Sequence, residues 1–150
     1  MKLIDVSVPL DANLPTYPGS TPFSLEATKR IANGDSSNVS AVHMSLHSGT
    51  HVDAPRHFFD NAPGADVLPL EMLIGRTRVI EVTSRKGIGP DELSAINLSE
   101  DVRLLIKTHN SRLWSSPEFR QEYVGVTEAG ARHLIDHGIK VLGVDYLSVE

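Results

Sequence analysis

A chain of 150 residues with net charge −5, no cysteine and 40% apolar residues can bury the core of one domain, read here as residues 1–150. The acidic balance and the absence of a basic run argue against a nucleic-acid partner. Disulfides are excluded, and any metal must be held through nitrogen and oxygen. No apolar run approaches the about 20 residues that cross a bilayer, so no membrane partner is expected. Residues 1–9 lack a signal-peptide pattern, which makes the cytoplasm the default location.

Residues 3–8 are β-rich and predict a short strand. Asp5 lies within it, either solvated or orienting a metal-bound histidine. Residues 11–22 contain Pro15, Pro18, Gly19 and Pro22 and predict a loop. Tyr17, with an apolar face and a polar tip, is either a packing residue or part of a lid. The alternation Phe23-Ser24-Leu25-Glu26-Ala27 predicts a half-buried strand running toward Ile31, and Asn33-Gly34-Asp35 predicts a turn. Residues 39–47 predict a strand, with Val42, Met44 and Leu46 alternating with His43, Ser45 and His47.

The next stretch organises the chain: His47-Ser48-Gly49-Thr50-His51-Val52-Asp53-Ala54-Pro55-Arg56-His57. A helix is a poor fit, because Gly49 and Pro55 interrupt it. A straight strand would separate His47 and His51 by roughly 13 Å, whereas two imidazoles on one ion need bonds of about 2.0–2.1 Å. The chain must therefore bend at residues 48–50, with Gly49 best able to allow it, and return Asp53 and His57 to the same cavity. A lone histidine is usually a surface or hydrogen-bonded core residue, but this spacing of four donors argues for a metal site. Two imidazoles and a carboxylate suit zinc, with manganese or iron as alternatives. Three protein ligands leave a position for water, whose lowered pKa supplies a nucleophile. A histidine just past them is suited to moving a proton. The chemistry indicated is hydrolysis of an amide or ester.

Beyond the motif, Phe58-Phe59 is expected to pack under the site or wall a substrate pocket. Asn61 to Gly64 predicts a turn, residues 69–75 one or two turns of helix, residues 77–83 a strand, and residues 89–93 a short helix with acidic residues in its first turn. Residues 102–107 predict a central strand. Residues 108–124 predict a long polar loop carrying His109, Asn110 and Trp114, with His109 either in contact with substrate or metal or, the preferred reading, exposed. Thr127 should cap a helix through His137 that Gly138 ends. His133 and His137 stand four apart on it, a spacing that can clamp a metal, but their pattern against Leu134 and Ile135 reads instead as a solvated face complementing the helix end. Residues 139–144 predict a buried strand, parallel to 102–107 through a βαβ crossover. The bare residues thus predict an α/β fold.

The eleven-residue motif resembles the signature of the metal-dependent cyclase family, which includes bacterial kynurenine formamidase and isatin hydrolase. The likeness extends to residues 5–9, to Tyr17-Pro18-Gly19 and to Gly143-Val144-Asp145-Tyr146. It implies a swivelling β/β/α-type domain with a mixed, partly barrel-like sheet and flanking helices. It also implies His47, His51 and Asp53 as ligands of a divalent metal (zinc first, manganese second), His57 as general acid/base, and Tyr17 over the substrate. The implied activity is hydrolysis of a small aryl formamide or cyclic amide by a homodimer or higher homo-oligomer. Two-metal members take a further His and Glu from beyond the counterpart of Tyr146, and this sequence ends at Glu150. Asp53, which bridges two ions in such members, would then bind only one, and the alternative reading is a metal-binding member with impaired catalysis.

Overall fold

The computed structural model describes residues 2–98 and 102–150. The chain divides into two compact units. Met1–Val52 with Ser116–Phe119 forms the first, and Asp53–Ser115 with Arg120–Glu150 forms the second.

The first unit is built on an antiparallel pair, β1 (Ser24–Lys29) and β2 (Val39–His43). Between them Asp35 Oδ2 accepts from Arg30 N at 2.7 Å, Asn38 Oδ1 accepts from Ile31 N at 3.0 Å, and Gly34 takes φ 94°. These bonds close the connection that Asn33-Gly34-Asp35 predicts. The ladder begins at Ser24↔His43, so β2 ends at His43 rather than at His47. Beyond it the apolar alternation persists, but Ser45 N finds only the isolated carbonyl of Thr21 at 3.1 Å, and Leu46 is 85% exposed. A periodic pattern without a pairing partner does not make a strand.

The strand expected at residues 3–8 is also absent. Asp5 Oδ1 accepts from both the N–H and the hydroxyl of Ser7. This local turn uses a backbone donor that a ladder would need. The same two bonds, the hydroxyl first, hold the Asp5 carboxyl below its ordinary pKa.

The second unit holds a parallel sheet, β3 (Arg78–Glu81), β4 (Arg103–Lys107) and β5 (Val141–Val144), in that spatial order. Three short helices accompany it: α1 (Leu70–Leu73), α2 (Pro90–Leu93) and α3 (Glu128–Asp136). Alternate residues Ile80, Leu104 and Ile106 enter the core, joined by Ile88, Leu93, Leu98, Val124 and Leu134. Each such side chain contributes about 1.5–3 kcal/mol when fully buried. The opposite face carries Val79 and Leu105, which remain exposed. α3 begins where Thr127 Oγ1 accepts from Gly130 N at 3.1 Å, and it lies so close to the loop before α2 that Gly130 has no room for a Cβ.

Five described strands thus divide between two sheets that share no ladder. The mixed, partly barrel-like sheet of the swivelling β/β/α expectation is not formed. Closure requires tilted, staggered strands around a full circuit, and ladders of two and three short strands leave open edges. Phe58 and Phe59 are both exposed, so they do not pack under the site.

Candidate metal centre

The segment after β2 turns as the donor spacing demands. Gly49 takes φ +61°, a left-handed conformation that costs other L-residues about 1–2 kcal/mol. Ser48 and Gly49 are buried, and Leu10 lies against the Gly49 α-carbon. Val8 N donates to Thr50 Oγ1 at 2.9 Å, which ties residues 8–10 to the turn. His47 N donates to Ser45 Oγ at 3.1 Å on the other side.

On this turn His47, His51 and Asp53 each offer a ligand atom, all within 4.8 Å of one another. The two imidazoles lie edge to face, centroids 5.3 Å apart at 82°. Both histidines are half-buried and Asp53 is exposed, so the donors are held by the chain yet open to solvent. His51 Nδ1 lies 2.9 Å from the Gly49 carbonyl oxygen. A carbonyl can only accept, so Nδ1 carries the proton and Nε2 the lone pair. A backbone carbonyl orienting a ligand imidazole in this way is typical of metal sites. Two neutral nitrogens and one carboxylate oxygen match a divalent ion of zinc type, whose tetrahedral ligands sit roughly 3.4 Å apart. The residues present fit a single divalent cation.

His57 closes the short 3-10 turn Pro55–His57, where its N–H donates to Ala54 O at 2.9 Å. It is exposed, stands edge-on to Phe58 with centroids 4.5 Å apart, and lies outside the three-donor cluster. Tyr17 is 48% exposed and packs against Phe119 at 5.0 Å. His109, expected to be exposed, instead has Nδ1 buried without a hydrogen-bond partner among the described residues.

Sequence reasoning missed the order of the loop after β4. Asp145 Oδ2 accepts from Thr108 N at 2.7 Å and Ser111 N at 3.1 Å, and Oδ1 accepts from Thr108 Oγ1 at 2.9 Å. Asn110, fully buried, donates through Nδ2 to Val124 O and accepts at Oδ1 from Val124 N, both at 2.8 Å. Residues His109–Ser115 therefore form a 3-10 helix within what reads as a structureless polar stretch. The only available signal was a run of short polar side chains that bond locally to backbone.

The family model described as Cyclase matches residues 4–150. A kynurenine formamidase of Bacillus cereus is 37% identical over 147 residues, covering 98% of this chain and 69% of that protein. One of Geobacillus thermodenitrificans is 38% identical over 148 residues, with the same coverage. Among solved structures, a potential metal-dependent hydrolase with cyclase activity superposes with a TM-score of 0.80 at 30% identity, over 99% of this chain and 70% of that one.

Proposed function

The chain belongs to the Cyclase family, and from that premise we propose that it hydrolyses a small N-formyl aryl amide of the formylkynurenine type, using His57 as general acid/base and Tyr17 against the aryl ring. The chain is a metal-dependent amidohydrolase. The observation that carries the reading is the convergence of His47, His51 and Asp53 on one turn. We propose zinc as the ion, because a donor set of two imidazoles and one carboxylate is poorer in oxygen than manganese prefers.

When bound, such a cation polarises a carbonyl oxygen and acidifies water. The protein's own groups do the rest. Asp53 brings negative charge to the cation, and the Gly49 carbonyl keeps His51 in the tautomer that can ligate. His57, exposed four residues after Asp53, moves protons. As water oxygen bonds to the formyl carbon and the C–N bond breaks, His57 delivers a proton to the departing aryl nitrogen, releasing formate and an aryl amine. Tyr17, held by Phe119, offers a flat face to the ring. We further propose a homodimer, motivated by the exposed Val79 and Leu105 of the parallel sheet and checked by sedimentation equilibrium.

The test is N-formylanilide hydrolysis with added zinc or manganese. His57→Ala should retain metal and lose about 10²–10⁴ in kcat. His51→Ala should lose both metal and turnover. An unchanged rate in His57→Ala removes that residue from the mechanism, and a metal-loaded wild type without turnover identifies a binding protein instead.

A further inference from the structure

α3 carries a second pair of imidazoles, far along the sequence from the motif. His133 and His137 stand one turn apart, with ring centroids 4.2 Å apart and planes 31° from parallel. His137 is exposed and His133 half-buried. Surface histidines usually diverge into solvent, whereas these two lie against each other. His137 Nδ1 lies 2.7 Å from the His133 carbonyl oxygen. That oxygen can only accept, so Nδ1 of His137 is protonated and Nε2 holds the lone pair. The helix thus fixes the tautomer of one ring in the form that can ligate, as the Gly49 carbonyl does for His51.

The electrostatics point the same way. His137 is the C-terminal cap of a nine-residue helix, and its N–H donates to carbonyls of the last turn. Gly138 turns the chain away at φ +83°. The carbonyl end of a helix favours positive charge within its last turn. Asp136 adds a carboxylate to the same turn.

We propose that His133 and His137 form a second, exchangeable site for a divalent transition ion of the copper, nickel and zinc group, separate from the site on residues 47–53. Two protein nitrogens leave the remaining positions to water, so the site is weaker than a three-donor centre and strongest for copper in the order of divalent ions. One consequence is analytical. Two metal ions per chain would not by themselves indicate a two-ion catalytic centre.

The test is a Cu2+ titration of the full chain at pH 7, read by electron paramagnetic resonance and by paramagnetic broadening of histidine ring signals. Wild type should bind two equivalents of unequal affinity. His137→Gln and His133→Gln, substitutions on a helix surface whose folding circular dichroism verifies, should each weaken the second equivalent about 10²-fold, the gain expected from linking two binding groups. The first equivalent and formamide hydrolysis should be unchanged. His51→Ala should show the reverse pattern, keeping the equivalent that broadens the His133 and His137 signals. The proposal is overturned if wild type binds one equivalent only, or if the second equivalent survives both glutamine variants. Either result leaves the reading of the 47–53 site intact.

Discussion

Replacing Gly49 by alanine isolates the contribution of one backbone angle to metal binding. At φ +61° an L-residue other than glycine loses about 1–2 kcal/mol. The new Cβ would also stand 2.7 Å from Leu10 Cδ2, with the next atom, Val8 O, at 3.8 Å. The Leu10 contact is the end of a flexible, half-exposed side chain and can rotate aside, so the dihedral dominates. If His47 and His51 ligate only while residue 49 is left-handed, that cost appears as zinc affinity weakened about fivefold to thirtyfold. Competition against a chromophoric chelator measures it. The double variant Gly49→Ala, Leu10→Ala separates the two causes: the loss persists if the angle is responsible and disappears if the methyl clash is. Wild-type affinity in Gly49→Ala would refute the argument that this kink assembles the donors.

Asn110→Leu should destabilise the protein by about 2–6 kcal/mol, since it orphans the N–H and the carbonyl of Val124 at about 1–3 kcal/mol each. Urea unfolding should report this as a lower midpoint at unchanged slope. Gly130→Ala should lower the melting temperature although alanine favours helix by about 1 kcal/mol, because its Cβ would stand 2.2 Å from the Ile88 carbonyl oxygen. A higher melting temperature would mean that α3 can slide off that segment. Glu92 has its carboxyl held below the ordinary value by the Gly89 N–H, which donates to it at 2.8 Å. The folded-state value is the lower one, so this bond stabilises above the ordinary carboxylate range and is lost as pH falls through the folded value. Glu92→Gln should therefore melt lower than wild type at pH 7, and the difference should vanish in acid.

Much of the second unit was legible in the sequence, because its signals are local and its tertiary environment agrees with them. The apolar runs around Ile80, Leu104 and Val144 became strands of one parallel sheet. Thr127 and Gly138 bound α3 at the two ends that their chemistry dictates. Pattern failed where pairing decides. Residues 44–47 and 3–8 have strand periodicity but no ladder, and Asp5 with Ser7 prefers its own turn. That His47, His51 and Asp53 come together was readable from their spacing, because Gly49 and Pro55 disfavour a helix there and a straight strand would hold 47 and 51 apart. The order of the loop after β4 was not, since it depends on Asp145, 37 positions from Thr108. No period of 2 or 3.6 encodes such a contact.

All three donors of the 47–53 site fall within seven consecutive residues. Closing a loop that short costs about 2.5 kcal/mol less entropy than gathering ligands from about 100 residues apart. A cation can therefore be captured by the denatured chain as well as by the native one. Ligands that bind both states raise the melting temperature by less than their native affinity implies. Zinc should thus be a modest thermal stabiliser even where it is tightly held, and capture of the ion can precede folding during synthesis.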